Sequence, residues 1–182
     1  VALDKLGALI TNPVSWGPRR AARGTRVVAL DSGVLIHNGL PNPGIHKAFR
    51  QYAARWKHMP IPVLMHVLGT SPADVAECAG FLDRQEEIAG LEIGLHDGAT
   101  HRDARLMIGA ARARTQLPIL ARLPMAQAPQ ITALASAAVE AGADALVIAA
   151  PPRGTARDPI SGQLVGGRVY APWVKTLALR AV

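Results

Sequence analysis

Four short apolar runs at a nearly constant interval constrain this chain more than any other feature. They occupy residues 62–68 (PVLMHVL), 90–96 (GLEIGLH), 118–123 (PILARL) and 144–150 (DALVIAA). Each is too short for a globular helix, and none alternates polar with apolar residues as a half-exposed strand does. Such runs fit strands buried on both faces of a parallel sheet. The interval is roughly 28 residues, the length of one strand and one crossover helix.

The stretches between the runs read as those helices. Ser71 is a good N-cap, Pro72 suits the first helical position, and Val75, Ala79 and Leu82 recur at helical spacing. Thr100 and Asp103 resemble a capping box, with Asp in place of the usual Glu, ahead of Leu106, Ile108 and Ala110. Pro129 opens a third helix through Ile131, Leu134, Ala135 and Ala138, and Gly142 ends it as a left-handed cap. Right-handed crossovers then give an α/β sheet, open or closed into a barrel. The flanks break the repeat. Residues 12–45 are rich in Pro, Gly and Arg, with one hairpin expected from 26–30 and 33–37, and residues 151–169 read as irregular. In a closed barrel, such loops at the carboxyl ends of strands carry the active site.

Composition narrows the function classes. The 182 residues fit one domain, and 49% hydrophobic content supplies a core. One cysteine, Cys78, excludes an internal disulfide framework and points to the cytoplasm. It lies on an apolar helix face and reads as core, as Met59 and Met65 read as packing. No apolar run approaches the ~20 residues of a membrane span, and no basic-then-apolar signal pattern opens the sequence. Aromatics at 4% argue against base-stacking recognition of nucleic acid. The net charge of +7 is mostly arginine, densest at Arg19, Arg20, Arg23 and Arg26. That group reads either as a solvated loop or as a site for phosphate or carboxylate.

Two stretches carry a resemblance to a known family. Residues 37–44 (HNGLPNPG) hold a Gly-Leu-Pro-Asn segment. Residues 157–167 (RDPISGQLVGG) hold an Asp-x-x-Ser-Gly hairpin and a Gly-rich turn, followed by Pro172 and the helix-like KTLALRAV at 175–182. Together they resemble the dihydroorotate dehydrogenase family of FMN-dependent (β/α)8 barrels, and residues 7–11 look like its second barrel strand. The resemblance implies a TIM-barrel fold, an FMN at the top of the barrel, and a flat substrate stacked on the flavin that gives up a hydride. It also implies roles. Asp97 falls at the proton-transferring base position, with His96 beside it. Thr11, Asn12, Arg122, Gly166 and Gly167 fall at flavin-binding positions, with Arg122 and Asn12 each replacing a lysine. Asn38, Gly39 and Leu40 fall at the substrate edge, and Tyr170 replaces a serine of the Gly-rich turn.

Four asparagines of the family's substrate pocket are absent, at Ile36, Gly94, Ala99 and Ala150. Each buried partner left unpaired costs ~1–3 kcal/mol, so orotate is expected to be a poor ligand. The strands accounted for run from the family's second to its sixth. The expectation is therefore a partial barrel over residues 1–182, belonging to a longer protein or completed by a partner, as a homo-oligomer or as a subunit of a larger complex.

Several residues have a second reading. Asp97 with Gly98 also fits a simple turn. His96, Asp97 and His101 lack a recognised metal-ligand spacing, so no metal is expected. His66 reads as a core imidazole satisfied by a backbone carbonyl. A buried Arg122 needs an anion: either the flavin edge, where charge develops on reduction, or Glu92 on the neighbouring strand. Gly166 and Gly167 fit close approach to a ligand or a tight turn. Two functions follow: an FMN-dependent oxidoreductase with an altered substrate, or a non-catalytic barrel subunit that has lost the chemistry.

Overall fold

In the computed structural model, which describes residues 2–125 and 130–181, the apolar runs lie side by side as parallel strands. After a 3-10 turn at Leu3–Lys5, the chain order is β1 (Leu9–Ile10), β2 (Val27–Leu30), β3 (Gly33–Ile36), α1 (Ile45–Trp56), β4 (Val63–Leu68), α2 (Pro72–Leu82), β5 (Gly90–Gly94), α3 (His101–Arg112), β6 (Ile119–Pro124), α4 (Ile131–Glu140), β7 (Ala145–Ala150), β8 (Arg153–Arg157), β9 (Leu164–Tyr170) and α5 (Val174–Arg180). The parallel sheet has the order β1-β4-β5-β6-β7 and curls as part of an α/β barrel. Register pairs Leu9 with Val63, His66 with Glu92, Gly94 with Arg122, and Arg122 with Val147.

The two-residue period of a strand sorts the side chains into two sets. Met65, Val67, Leu91, Ile93, Ala121 and Leu123 belong to the main core, with Val75, Cys78 and Leu82 of α2 and Met107 and Ile108 of α3. Each large side chain buried there contributes about 1.5–3 kcal/mol. The alternate set carries the polar residues: His66, Glu92 and Arg122 share it with Leu64 and Leu68. β4 and β5 are buried along nearly their whole length. β7 is mostly half-buried, because no further strand pairs with it among the described residues.

Local signals place the helices. Ser71 Oγ accepts the Asp74 amide at 3.1 Å ahead of α2, with Pro72 in its first turn. Thr100 and Asp103 form the reciprocal capping box of α3, and the Thr100 amide and hydroxyl hold the Asp103 carboxyl below its ordinary range. Pro129 lies outside the described residues; α4 runs from Ile131, and Gly142 follows it with φ +104°. A Cβ at Gly142 would sit 2.9 Å from Arg112 Cγ, so the glycine also makes room for Arg112 to bond its carbonyl.

Two segments depart from the sequence reading. α1 has no counterpart in it, because this helix buries only Ile45 and Ala48 and opens without a side-chain cap. Residues 151–169 are not irregular. β8 and β9 form an antiparallel hairpin that joins the expected β2–β3 hairpin in a second sheet, ordered β2-β3-β9-β8. Its Arg- and Gly-rich strands present no apolar run, since its core is only Val28, Leu35 and Val169 with a few half-buried neighbours. Among the described residues, no helix is long and apolar enough to cross a membrane.

Candidate functional site

The carboxyl ends of the parallel strands and the second sheet enclose a cavity of about 700 Å³. His66, Glu92 and Arg122, one from each of three adjacent strands, form a polar group in its lining. His66 Nδ1 and Glu92 Oε1 are in direct hydrogen-bond contact, and the two residues are only 5% and 2% exposed. Arg122 Nη1 lies 3.6 Å from the same carboxylate oxygen and 3.5 Å from His66 Nδ1. The partner of His66 is thus a carboxylate, not the expected backbone carbonyl. A charged acceptor is the stronger partner for a buried ring N–H. Arg122 Nε is buried and has no hydrogen-bond partner among the described residues. Arg122 lines the cavity, and its buried Nε is an unsatisfied donor inside that lining.

Gly94 has a specific relation to this group. A Cβ there would lie 2.9 Å from His66 Nε2. The imidazole occupies the space into which any side chain at position 94 would project, so His66 and a pocket asparagine at 94 exclude each other.

At the mouth, Asp97 Oδ1 lies 2.9 Å from Arg168 Nη1 of β9, and Asp97 Oδ2 lies 3.4 Å from Arg153 Nη1 of β8. Arg168 also donates to the Pro151 carbonyl at 2.6 Å. Arg153 and Arg168 are directly opposite in the β8–β9 register. Like charges so placed repel, and Asp97 is the counter-ion between them. His96 lines the same cavity, with Nε2 3.9 Å from Asp103 Oδ2 and about half its side chain exposed.

The cavity gathers Thr11, Asn12, Leu40, His96, Asp97 and Arg122 from four separate parts of the chain. Thr11 Oγ1 also accepts the His66 amide at 3.2 Å, tying the end of β1 to β4. Asn38, Gly39, Gly166 and Gly167 are not in its lining. Asn38 Oδ1 accepts the Leu40 amide, and Gly39, with φ +74°, packs where a Cβ would meet the Ala22 nitrogen at 2.8 Å. Gly167 lets β9 approach β3, since a Cβ would lie 2.6 Å from the Ile36 carbonyl oxygen. Of the dense arginine group, Arg19 reaches the lining. Arg153 and Arg168 escape the sequence reading as site residues because their strands looked irregular. Their one signal was charge, diluted along an arginine-rich chain. His, Cys, Asp and Glu do not gather in groups able to hold a metal among the described residues.

No protein-family profile matches the chain. Its sequence is similar to those of catalytic subunits of dihydroorotate dehydrogenase B (NAD(+)). The subunit of Pelobacter propionicus is 30% identical over a 200-residue alignment covering all of this chain and 64% of that protein. The subunit of Geotalea daltonii is 31% identical over 99% of this chain and 63% of its own length. That of Desulforamulus reducens is 30% identical over all of this chain and 64% of its own. The chain therefore spans a little under two thirds of the length of these relatives. Similarity that runs the whole length of the chain, joined to a curled parallel sheet with its polar cavity at the carboxyl ends of the strands, makes this chain a divergent member of the dihydroorotate dehydrogenase family.

Proposed function

We propose that residues 1–182 form an incomplete barrel domain of an FMN-dependent oxidoreductase that acts on a substrate other than orotate. The observation that carries this is Arg122, a cation in the cavity lining whose buried Nε has no partner among the described residues. Its chemistry fits the electron-rich pyrimidine edge of a flavin. Thr11 and Asn12, at the end of β1, lie on the same lining. When bound, FMN would supply a two-electron acceptor for a substrate hydride. Arg122 would hold the electron-rich edge of the flavin and offer it positive charge, and Glu92 and His66 hold Arg122 in place.

Gly94 and Ala150 line the pocket without a side-chain amide, and His66 fills the space beside Gly94. Proton transfer falls to His96 or Asp97. Asp97 must first release two arginines, whereas His96 is half exposed at the mouth. The relatives' role as catalytic subunits supports a place for this chain in a larger assembly. The arginine-bound state of Asp97 favours a second reading, a non-catalytic barrel subunit.

The test is reconstitution of the full protein with FMN. The expected result is a yellow protein with quenched flavin fluorescence, bleached anaerobically by its substrate but not by dihydroorotate. Arg122→Met should weaken FMN binding about tenfold or more. A protein that stays colourless overturns the oxidoreductase reading in favour of the subunit reading.

A further inference from the structure

We infer that the mouth of the cavity binds a doubly anionic, phosphate-type group of the substrate, gripped by Arg153 and Arg168 with Arg19 facing the same space. The substrate label rests on the oxidoreductase reading; the anion site itself does not. Four arginines line this cavity against two carboxylates. Glu92, deeply buried, is engaged by Arg122, so among the described residues of the lining Asp97 is the carboxylate left beside Arg19, Arg153 and Arg168. The excess charge therefore gathers at the mouth, away from the His66–Glu92–Arg122 group.

The geometry there is that of a site with a placeholder. Arg153 and Arg168 are directly opposed on neighbouring strands, a pairing that repels unless an anion lies between. Asp97 is that anion, but it holds the two unequally. Arg168 sits at 2.9 Å and is further fixed by the Pro151 carbonyl, while Arg153 is at 3.4 Å with its side chain 57% exposed. Arg153 is thus free to turn to a ligand at little cost, and Arg168 presents its remaining N–H groups from a fixed position. Guanidinium forks match phosphate oxygens, and a dianion offers the two charges that Asp97 leaves unbalanced. On this account Asp97 orients the two arginines and competes with the ligand for them.

The test is calorimetric titration of the full protein, without FMN, using phenyl phosphate as dianion, benzoate as monoanion and benzamide as neutral control. Phenyl phosphate should bind at least about tenfold more tightly than benzoate, and its binding should weaken steeply with salt. Arg153→Gln and Arg168→Gln should each weaken it about tenfold or more, whereas Asp97→Asn, which removes the competitor, should strengthen it. Arg153 is exposed, so Arg153→Gln tests the site with the fold intact; an unchanged unfolding midpoint verifies this. Equal binding of phenyl phosphate and benzoate, or no loss on Arg153→Gln, would overturn the inference. Repeating the titration with FMN-loaded protein separates two sources of phosphate. Retained binding supports a substrate group, and abolished binding overturns that assignment by giving the site to the cofactor's own phosphate. Failure to load FMN leaves the first titration readable, so the two proposals fail separately.

Discussion

The two sheets of this molecule meet over one cavity but are built differently. The parallel sheet is sandwiched between helices and the cavity, and its polar residues are compensated inside it: His66 by Glu92, and Glu92 by Arg122. The antiparallel sheet has a three-residue core and holds its shape through turns and charge, with Asp158 and Asp97 as its anchors. Buried strands tolerate little change because each side chain touches many others. A thinly cored sheet of exposed residues is freer to exchange one polar contact for another. The His66–Glu92–Arg122 group thus belongs to the rigid half of the site, and the arginine mouth to the adaptable half.

The largest effect expected from this contrast is at Glu92. Glu92→Ala removes the shared partner of His66 and Arg122 and leaves polar groups buried without compensation, costing about 3–5 kcal/mol. Ile93→Ala, in the same strand, should cost about 2–5 kcal/mol through the cavity it leaves. Urea unfolding followed by circular dichroism measures both. Leu35→Ala, in the small core of the second sheet, is the control. It should raise amide exchange in β2, β3 and β9 while leaving the exchange of β4–β6 unchanged. Equal acceleration in both sheets would show that they unfold as one unit and would break the comparison.

A sharper test uses Gly94. Gly94→Asn, which returns the side chain the family resemblance leads one to expect, places a Cβ 2.9 Å from His66 Nε2. Overpacking of this kind costs about 1–3 kcal/mol. His66→Ala should relieve it, so the double variant should be more stable than the sum of the single effects requires. Additive effects would mean that the imidazole and position 94 do not share space.

What could be read from the sequence follows the same division. β4, β5 and β6 were legible because two-sided burial writes itself as an apolar run, and β7 carries the same apolar run though it is mostly half-buried. α2 and α3 were legible because Ser71, Pro72, Thr100 and Asp103 are local signals. α1 was not, since its stability comes from packing: His46 and Phe49 meet Phe81 of α2 edge-on, at 4.5 and 5.6 Å between ring centres. β8 and β9 were legible only through the Asp-x-x-Ser-Gly hairpin of the family resemblance, which falls on their turn, because strands exposed on one face and rich in Arg and Gly carry no hydrophobic signature. The site was legible as positions, not as pairings. Arg122, Asp97 and His96 line one cavity, but that Arg153 and Arg168 would close on Asp97 depends on a hairpin register that no local pattern announces.

The second sheet's dependence on charge also gives it a pH limit of its own. Asp158 is buried at the turn between β8 and β9. Its carboxylate accepts from the Ser161 and Thr25 hydroxyls at 2.5 and 2.7 Å and from the Ile160 amide at 3.1 Å. These bonds, the Ser161 hydroxyl first, hold its carboxyl down at about 2, against an ordinary 3.8. A carboxyl depressed in the folded state stabilises it above the unfolded value and loses that contribution as pH falls through the folded one. The turn should therefore hold at pH 5 and open between about pH 4 and 2. Hydrogen exchange, corrected for intrinsic rates, should show residues 158–163 losing protection there while β4–β6 keep theirs. Asp158→Asn should remove the pH dependence. Simultaneous loss of both sheets would refute local anchoring.

The smallest effect is a chemical silence in the rigid half. Cys78 lies in α2 within the main core and is fully buried. Burial pushes its thiol up to about 12, and the charges of Asp74 and Glu77 add to the shift. The reactive form of cysteine is the thiolate, and both its fraction and its access are here reduced. Native protein should therefore resist iodoacetamide at pH 8, and react fully once unfolded in urea. Labelling at the rate of global unfolding would place Cys78 in the most stable unit of the molecule. Faster labelling would show that α2 lifts from the parallel sheet on its own, which would move the boundary between the rigid and adaptable halves into the barrel.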